Sequence, residues 1–138
     1  KNNFNPYKAC KLLNGNDATI ISTGEFTYNA IKTAKILKEE ENLNIEVIHI
    51  GMIKPIDKEN IIEIAKKQKP IFTLENHSVI GGLGSSVCDV ICDSNYPCRV
   101  IKFGVNDIYG QSGTVDELLK YYHLTPKQIA NEIKKYLV

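Results

Sequence analysis

Short apolar segments alternate with longer amphipathic ones along this chain of 138 residues, and that alternation limits the folds open to it. The apolar segments have the length of strands, and the segments between them are long enough to cross from one parallel strand to the next. Parallel strands are predicted at 18–22, 44–50, 70–75 and 99–105, with helices at 26–41, 58–67 and 84–93. Asp57 is expected to be the N-cap of the second of these helices. The pattern therefore predicts an α/β fold with a parallel sheet.

Both ends of the chain add to this prediction. Residues 7–13 could form a further strand, and the turn-forming residues Asn14–Asp17 would place it antiparallel to the next strand, at a sheet edge. Near the carboxyl end, Thr114–Glu117 and Thr125–Gln128 have the form of capping boxes and predict two closing helices. The expected architecture is a three-layer α/β/α sandwich, with four parallel strands plus one antiparallel edge strand. We expect a linker and edge strand at 1–17 and one domain at 18–138.

Composition excludes several classes of function. Apolar residues make up 43% of the chain and charged residues 24%, which is typical of a globular domain. A net charge of +1 argues against a nucleic-acid or membrane-surface binder. No apolar run approaches the ~20 residues that span a bilayer, and no signal peptide is visible. Because the chain begins at Lys1 rather than methionine, we expect a fragment of a longer protein.

The four cysteines lack the spacing of zinc fingers or redox pairs, since no C-x-x-C occurs. Cys88 and Cys92 lie four residues apart and would share one face of a helix. Buried free thiols in a reducing cytoplasm are the expected state.

The most unusual local segment lies between the predicted strand at 70–75 and the helix at 84–93. It places a charged, polar turn and three glycines just before a helix N-terminus, where unpaired backbone amides carry partial positive charge. Such a turn can bind an anion, or it can let the helix pack close to the sheet. The order G-G-x-G matches neither the dinucleotide nor the P-loop fingerprint, so tight packing is the favoured interpretation.

Several residues here and in a second glycine loop are candidates for an interface or an anion site. His77 is expected to be a hydrogen-bonded loop residue facing a partner domain, and Glu75 to pair across a domain interface rather than act as an acid. No catalytic, cofactor-binding or metal-binding residue is assigned. The candidates are Glu75, His77, Gly81, Gly82, Gly84, Ser85, Asn106, Asp107 and Tyr109.

Four segments carry a resemblance to a known family, in one order and register from Ala18 to the carboxyl end. They are Thr19–Gly24, Ile53–Asp57 (IKPID), Glu75–Ser85 (ENHSVIGGLGS) and Phe103–Gly113 (FGVNDIYGQSG). Together they resemble the C-terminal domain of transketolase, which deoxyxylulose-phosphate synthases and 2-oxoacid dehydrogenase β subunits share.

Two details refine the resemblance. His77 and the Tyr-Gly-Gln-Ser-Gly loop are most similar to transketolase, especially to its split-gene type. Ile108 and Gln111 stand where the family often has arginine and glutamate, so an ion pair made there by relatives is not expected here.

The resemblance implies a cytoplasmic enzyme that transfers a two-carbon ketol unit between sugar phosphates with thiamine diphosphate and Mg²⁺. In that family the cofactor-activating glutamate, the metal ligands and the substrate-phosphate clamps lie mainly in two other domains. This chain alone is therefore expected to bind no cofactor and to catalyse nothing. Its expected partners are the cofactor-binding domains or subunit of the same enzyme, as a homodimer, without nucleic acid or membrane.

A second hypothesis remains open: a stand-alone α/β module that binds an anionic ligand at Gly81–Ser85. The first hypothesis predicts an exposed apolar surface for the other domains, whereas the second predicts a closed surface with a preformed pocket.

Overall fold

A computed structural model of the chain describes residues 5–78, 82–105 and 124–138, with backbone alone at 76–78 and 105. The helices and strands in these ranges are β1 (Cys10–Leu13), β2 (Ala18–Ser22), α1 (Phe26–Glu41), β3 (Ile45–His49), α2 (Lys58–Lys66), β4 (Ile71–Ser78), α3 (Leu83–Cys92), β5 (Val100–Val105) and α4 (Pro126–Leu137). The prediction for α1 agrees at both ends. The helix predicted from the capping box at Thr114–Glu117 lies outside the described residues.

The described strands form one sheet in the order β1-β3-β2-β4-β5. β3, β2, β4 and β5 run parallel to one another, and β1 is antiparallel to β3 at the edge. The predicted α/β class, with four parallel strands and one antiparallel edge strand, is confirmed. β2 lies at the centre and all its residues are buried, as expected of a strand covered on both faces.

Helices cover both faces of the sheet, which gives the predicted three layers. Successive residues of a strand point to opposite faces, so Phe72 packs in the cluster with α1 and α4, whereas Ile71 packs in the cluster with α2 and α3. In β2, Ile20 and Ile21 divide in the same way. The apolar core thus consists of two clusters separated by the sheet.

The edge strand differs from its prediction in length and in partner. It begins at Cys10 rather than Tyr7, and it pairs with β3 rather than with the following strand, β2. The chain reaches β2 by passing over the beginning of β3, where a Cβ on Gly15 would lie 2.5 Å from the backbone of Ile45. Only glycine allows this close approach, and the predicted hairpin is therefore replaced by a crossing.

The carboxyl ends of β2 and β4 are neighbours, because Ser22 is in register with Leu74 and the Thr23 amide donates to the Leu74 carbonyl (3.3 Å). β2 connects through α1 to β3 on one side, and β4 lies on its other side, so the direction of winding reverses here. Ligands and partners of such sheets meet this kind of edge. The turn at Gly24 and the segment after Leu74 therefore leave the sheet side by side.

β4 is longer than predicted and runs through Ser78, which is in register with Val105 of β5 after an irregularity. The backbone of His77 therefore belongs to a strand and not to a loop. Pairing with β5, rather than local apolar character, extends β4 to Ser78.

All four cysteines are free thiols. Cys88 and Cys98 are half-buried, and burial raises the pKa of both thiols. Cys10 and Cys92 are exposed, so the expectation of buried thiols is wrong for these two. Within the described ranges, no helix is both long and apolar enough to cross a membrane.

Candidate functional site

The Glu75 carboxylate closes the joint between β4 and α3. Its side chain is fully buried, and its two oxygens accept hydrogen bonds from the amides of Leu83 (2.7 Å) and Gly84 (3.0 Å). These amides open α3, where backbone N–H groups have no partner within the helix and favour negative charge. The group that meets this helix N-terminus is thus an internal carboxylate.

The same carboxylate joins β4 to the first residues of α3. The bonds lie inside the domain, so the expected pairing of Glu75 across a domain interface does not describe this carboxylate. An anion approaching the Leu83 and Gly84 amides would find them occupied and would face a negative charge.

Gly84 makes the helix pack tightly on the sheet. A Cβ at this position would lie 2.7 Å from Cγ of Lys102 and 2.8 Å from Oγ1 of Thr73, both of which are closer than side chains tolerate. Within the described residues, the buried Thr73 hydroxyl has no hydrogen-bond partner. The tight-packing interpretation of the glycine turn is supported at Gly84.

Gly82 and Ser85 occupy the beginning of the same helix. Gly82 is the N-cap residue, and its carbonyl accepts the amide of Ser86 (3.1 Å). The ammonium of Lys102 lies 3.5 Å from the Ser85 hydroxyl, at the limit of hydrogen bonding. Glu75, Gly82, Gly84 and Ser85 are thus brought together around one helix N-terminus.

The remaining predicted candidates are untested. Gly81, Asn106, Asp107 and Tyr109 lie outside the described residues, as does the side chain of His77. Their roles in an interface or an anion site stay predictions.

A second buried carboxylate, which was not singled out from the sequence, lies near the amino ends of β2 and β3. Glu46 is 2% exposed, accepts from the Thr19 hydroxyl (2.8 Å), and forms ion pairs with Lys11 (3.1 Å) and Lys67 (3.0 Å). Burial opposes its ionisation, but hydrogen bonds from Lys67, Thr19 and Lys11 outweigh burial and lower the pKa of the carboxyl. A glutamate between the apolar residues Ile45 and Val47 of a predicted strand was the available signal.

Asp57 fulfils the N-cap role predicted for it. Its carboxylate accepts from the Asn60 amide (3.3 Å) and from the Ala9 amide (2.8 Å), which ties the segment before β1 to α2. Burial opposes ionisation here too, and the bonds from Ala9 and Asn60 nevertheless lower the pKa of Asp57.

Thiamine diphosphate, which the sequence resemblance implies for a whole enzyme, does not fit the beginning of α3. The helix N-terminus beside the glycine turn already holds the Glu75 carboxylate, which would repel a diphosphate. In the described part of the chain, no three His, Cys, Asp or Glu side chains are placed to hold a metal ion.

Comparison with known proteins places most of the chain in one family. The family model described as the transketolase C-terminal domain matches residues 8–129. A transketolase C-terminal section from Methanocaldococcus jannaschii is 44% identical over 123 residues, covering 88% of this chain and 37% of that protein. A 1-deoxy-D-xylulose-5-phosphate synthase from Clostridium tetani is 36% identical over 119 residues, covering 86% of this chain and 19% of that protein. The chain thus spans well under half of these relatives.

Solved structures that resemble this chain are also transketolases. A split-gene transketolase, described as an inactive beta4 tetramer, superposes with a TM-score of 0.88 at 40% identity, covering 97% of this chain and 43% of that one. A transketolase from Pichia stipitis in complex with sedoheptulose 7-phosphate has a TM-score of 0.71 at 23% identity, covering 95% of this chain and 18% of that one. The second likeness concerns the fold alone.

Proposed function

Because this chain belongs to the family of transketolase C-terminal domains, we propose that it is the C-terminal section of a transketolase. The whole enzyme would transfer a two-carbon ketol unit between sugar phosphates with thiamine diphosphate and Mg²⁺. This section would supply no catalytic group. It would dock on the cofactor-binding domains or subunit and support a homodimer, in the cytoplasm, where free thiols such as these persist.

The observation that carries the docking role is the Glu75 carboxylate on the N-terminus of α3. A small-molecule site at this turn would need those two amides, whereas a docking surface needs only a fixed relation between β4 and α3. The two hydrogen bonds of Glu75, the Glu75 clamp, supply that relation by joining β4 to the beginning of α3 at the sheet edge where partners of this fold bind. The stand-alone anion-binding module is correspondingly less favoured.

An exposed aromatic residue at the same edge supports docking. Tyr28 lies in the first turn of α1, directly after the carboxyl end of β2, and is 63% exposed. The ammonium of Lys32 lies 4.4 Å from the centre of its ring. Large amphipathic rings of this kind are enriched at interfaces.

Transketolase is preferred over its relatives for a specific reason. Two similar proteins of 40% identity or more are described as a transketolase section and a split-gene transketolase, whereas the deoxyxylulose-phosphate synthase from C. tetani is 36% identical. Deoxyxylulose-phosphate synthase is the second candidate, and a 2-oxoacid dehydrogenase β subunit the third.

The test is to isolate the natural enzyme and to measure what it catalyses. The polypeptide that carries this chain is purified from its own cells with whatever it binds, and its mass and activity are measured with added thiamine diphosphate and Mg²⁺. We expect ketol transfer from a ketose phosphate to an aldose phosphate, and no activity from residues 1–138 alone. Formation of 1-deoxy-D-xylulose 5-phosphate would move the assignment to the second candidate. A 138-residue product that binds no partner would refute the proposal.

A further inference from the structure

A groove of about 250 Å³ runs between α2 and α3 on the outer side of the domain. It has an apolar floor and a charged rim, which is the usual arrangement of a protein-binding surface. The floor consists of Ile56, Ile62 and Val90, and the rim carries Lys58, Asp89 and Asp93.

The rim is acidic and its acids are not neutralised within the domain. Asp89 and Asp93 lie four residues apart on α3 and are exposed. Within the described residues, neither carboxylate has an ion-pair or hydrogen-bond partner. The two acidic residues of α2, by contrast, are paired, Glu63 with Lys66 at 2.9 Å and Glu59 with Lys8 at 3.8 Å. The two carboxylates face one cation of the groove, Lys58, so the groove is negative while the chain as a whole is not.

One end of the groove lies near the edge of the sheet that the proposed function uses, and the other reaches Asp93 at the carboxyl end of α3. Lys58 is the first residue of α2 and Ser86, which also lines the groove, is in the first turn of α3. Both helices follow strands whose carboxyl ends meet at that edge, so their N-termini open towards it.

We propose that this groove binds a lysine-bearing segment of the rest of the enzyme, an inference that rests on the proposed function. One apolar side chain of that segment packs between Ile62 and Val90, and its lysine pairs with Asp89 and Asp93. Charge complementarity selects this occupant over a second copy of the chain. A two-fold interface brings the same patch of both copies together, and four carboxylates would then share the two Lys58 ammonium groups, which leaves an excess of negative charge in the interface.

Zero-length cross-linking of the intact enzyme tests the contact. A carbodiimide joins a carboxylate to an amine only where the two are in direct contact. It detects a contact with an attached domain and a contact with a separate subunit equally well. We expect peptides that link Asp89 or Asp93 to a lysine of the cofactor-binding domains or subunit. Links only to a second copy of this chain, or no links from these two residues, would overturn the proposal.

A charge reversal with a matched control provides a second measurement. Asp93→Lys and Glu39→Lys change the net charge equally, but Glu39 lies on α1, on the other side of the sheet. We expect Asp93→Lys to lower the melting temperature of the intact enzyme by about 2–4 °C more than Glu39→Lys. The difference should shrink at about 1 M salt, where exposed charges are screened.

The outcomes separate the two proposals. Equal melting temperatures of the two variants in an active enzyme would refute the groove and leave the proposed function standing. An enzyme without partner domains would refute both.

Discussion

Replacing Glu75 by glutamine tests the joint between β4 and α3 most directly. The carboxylate accepts two amide hydrogen bonds, at 2.7 and 3.0 Å, from a fully buried position. Glutamine can accept only one of them, because its NH₂ group must then face the other N–H. The change therefore removes one charge-assisted bond, about 1.5–3 kcal/mol, and leaves a buried donor unsatisfied, about 1–3 kcal/mol.

We expect Glu75→Gln to lower the free energy of unfolding by about 3–5 kcal/mol, a large share of the roughly 5–15 kcal/mol of a typical domain. Urea unfolding of the 138-residue chain measures this as a lower midpoint with an unchanged slope. The matched control is Glu59→Gln on α2. That side chain is 89% exposed and lies 3.8 Å from Lys8, so its loss should cost about 0.5 kcal/mol or less.

A second variant separates the effect of the Glu75 negative charge from the effect of side-chain packing. Glu75→Ala leaves both amides without an acceptor and opens a cavity, so added formate should stabilise this variant more than chloride at equal ionic strength. The unchanged chain should show no such preference. A loss below about 1 kcal/mol for Glu75→Gln, or equal effects of formate and chloride on Glu75→Ala, would refute the account of the clamp.

Contacts elsewhere in the chain lead to three further predictions. Gly84→Ala should destabilise the chain by about 1–3 kcal/mol in urea, because its Cβ would press on Thr73 and Lys102; an unchanged midpoint would contradict the close packing. Since the pKa of Glu46 is lowered on folding, its ionisation contributes stability above the unfolded value near 4.5 that is lost as pH falls through the folded pKa. Glu46→Gln should therefore unfold more easily than the unchanged chain near neutral pH, and the difference should narrow in acid; a constant difference would rule out the linkage. Thr125→Ala removes the capping box of α4 and should cost about 1 kcal/mol, seen as a lower thermal midpoint, whereas a cost near zero would mean that the cap is dispensable.

Features set by near neighbours in sequence were predicted well. The bounds of α1 follow from apolar spacing within one helix, and the capping roles of Asp57 and Thr125 depend on residues three positions away. The strand β2 was recognised from its short apolar run, and all its residues are buried in the structure. These features needed no knowledge of what packs against them.

Features set by distant contacts were not predicted. The edge strand was assigned a hairpin, but the crossing at Gly15 depends on the backbone of β3, about thirty residues further along the chain. The backbone of His77 joined a strand because β5 pairs beyond the irregularity in β4. The partners of Glu46 come from β1 and from the end of α2, so no local pattern revealed them.

The fold class and the family can be recognised without coordinates, because periodic apolar segments and ordered motifs are properties of the sequence. The role of the glycine turn, by contrast, depends on contacts that form in the folded domain. The same residues allowed an anion site or a packing joint, since both need glycines and a helix N-terminus. The choice depended on whether a carboxylate from the preceding strand reached the amides of α3, and folding brings Glu75 to within 2.7 Å of Leu83.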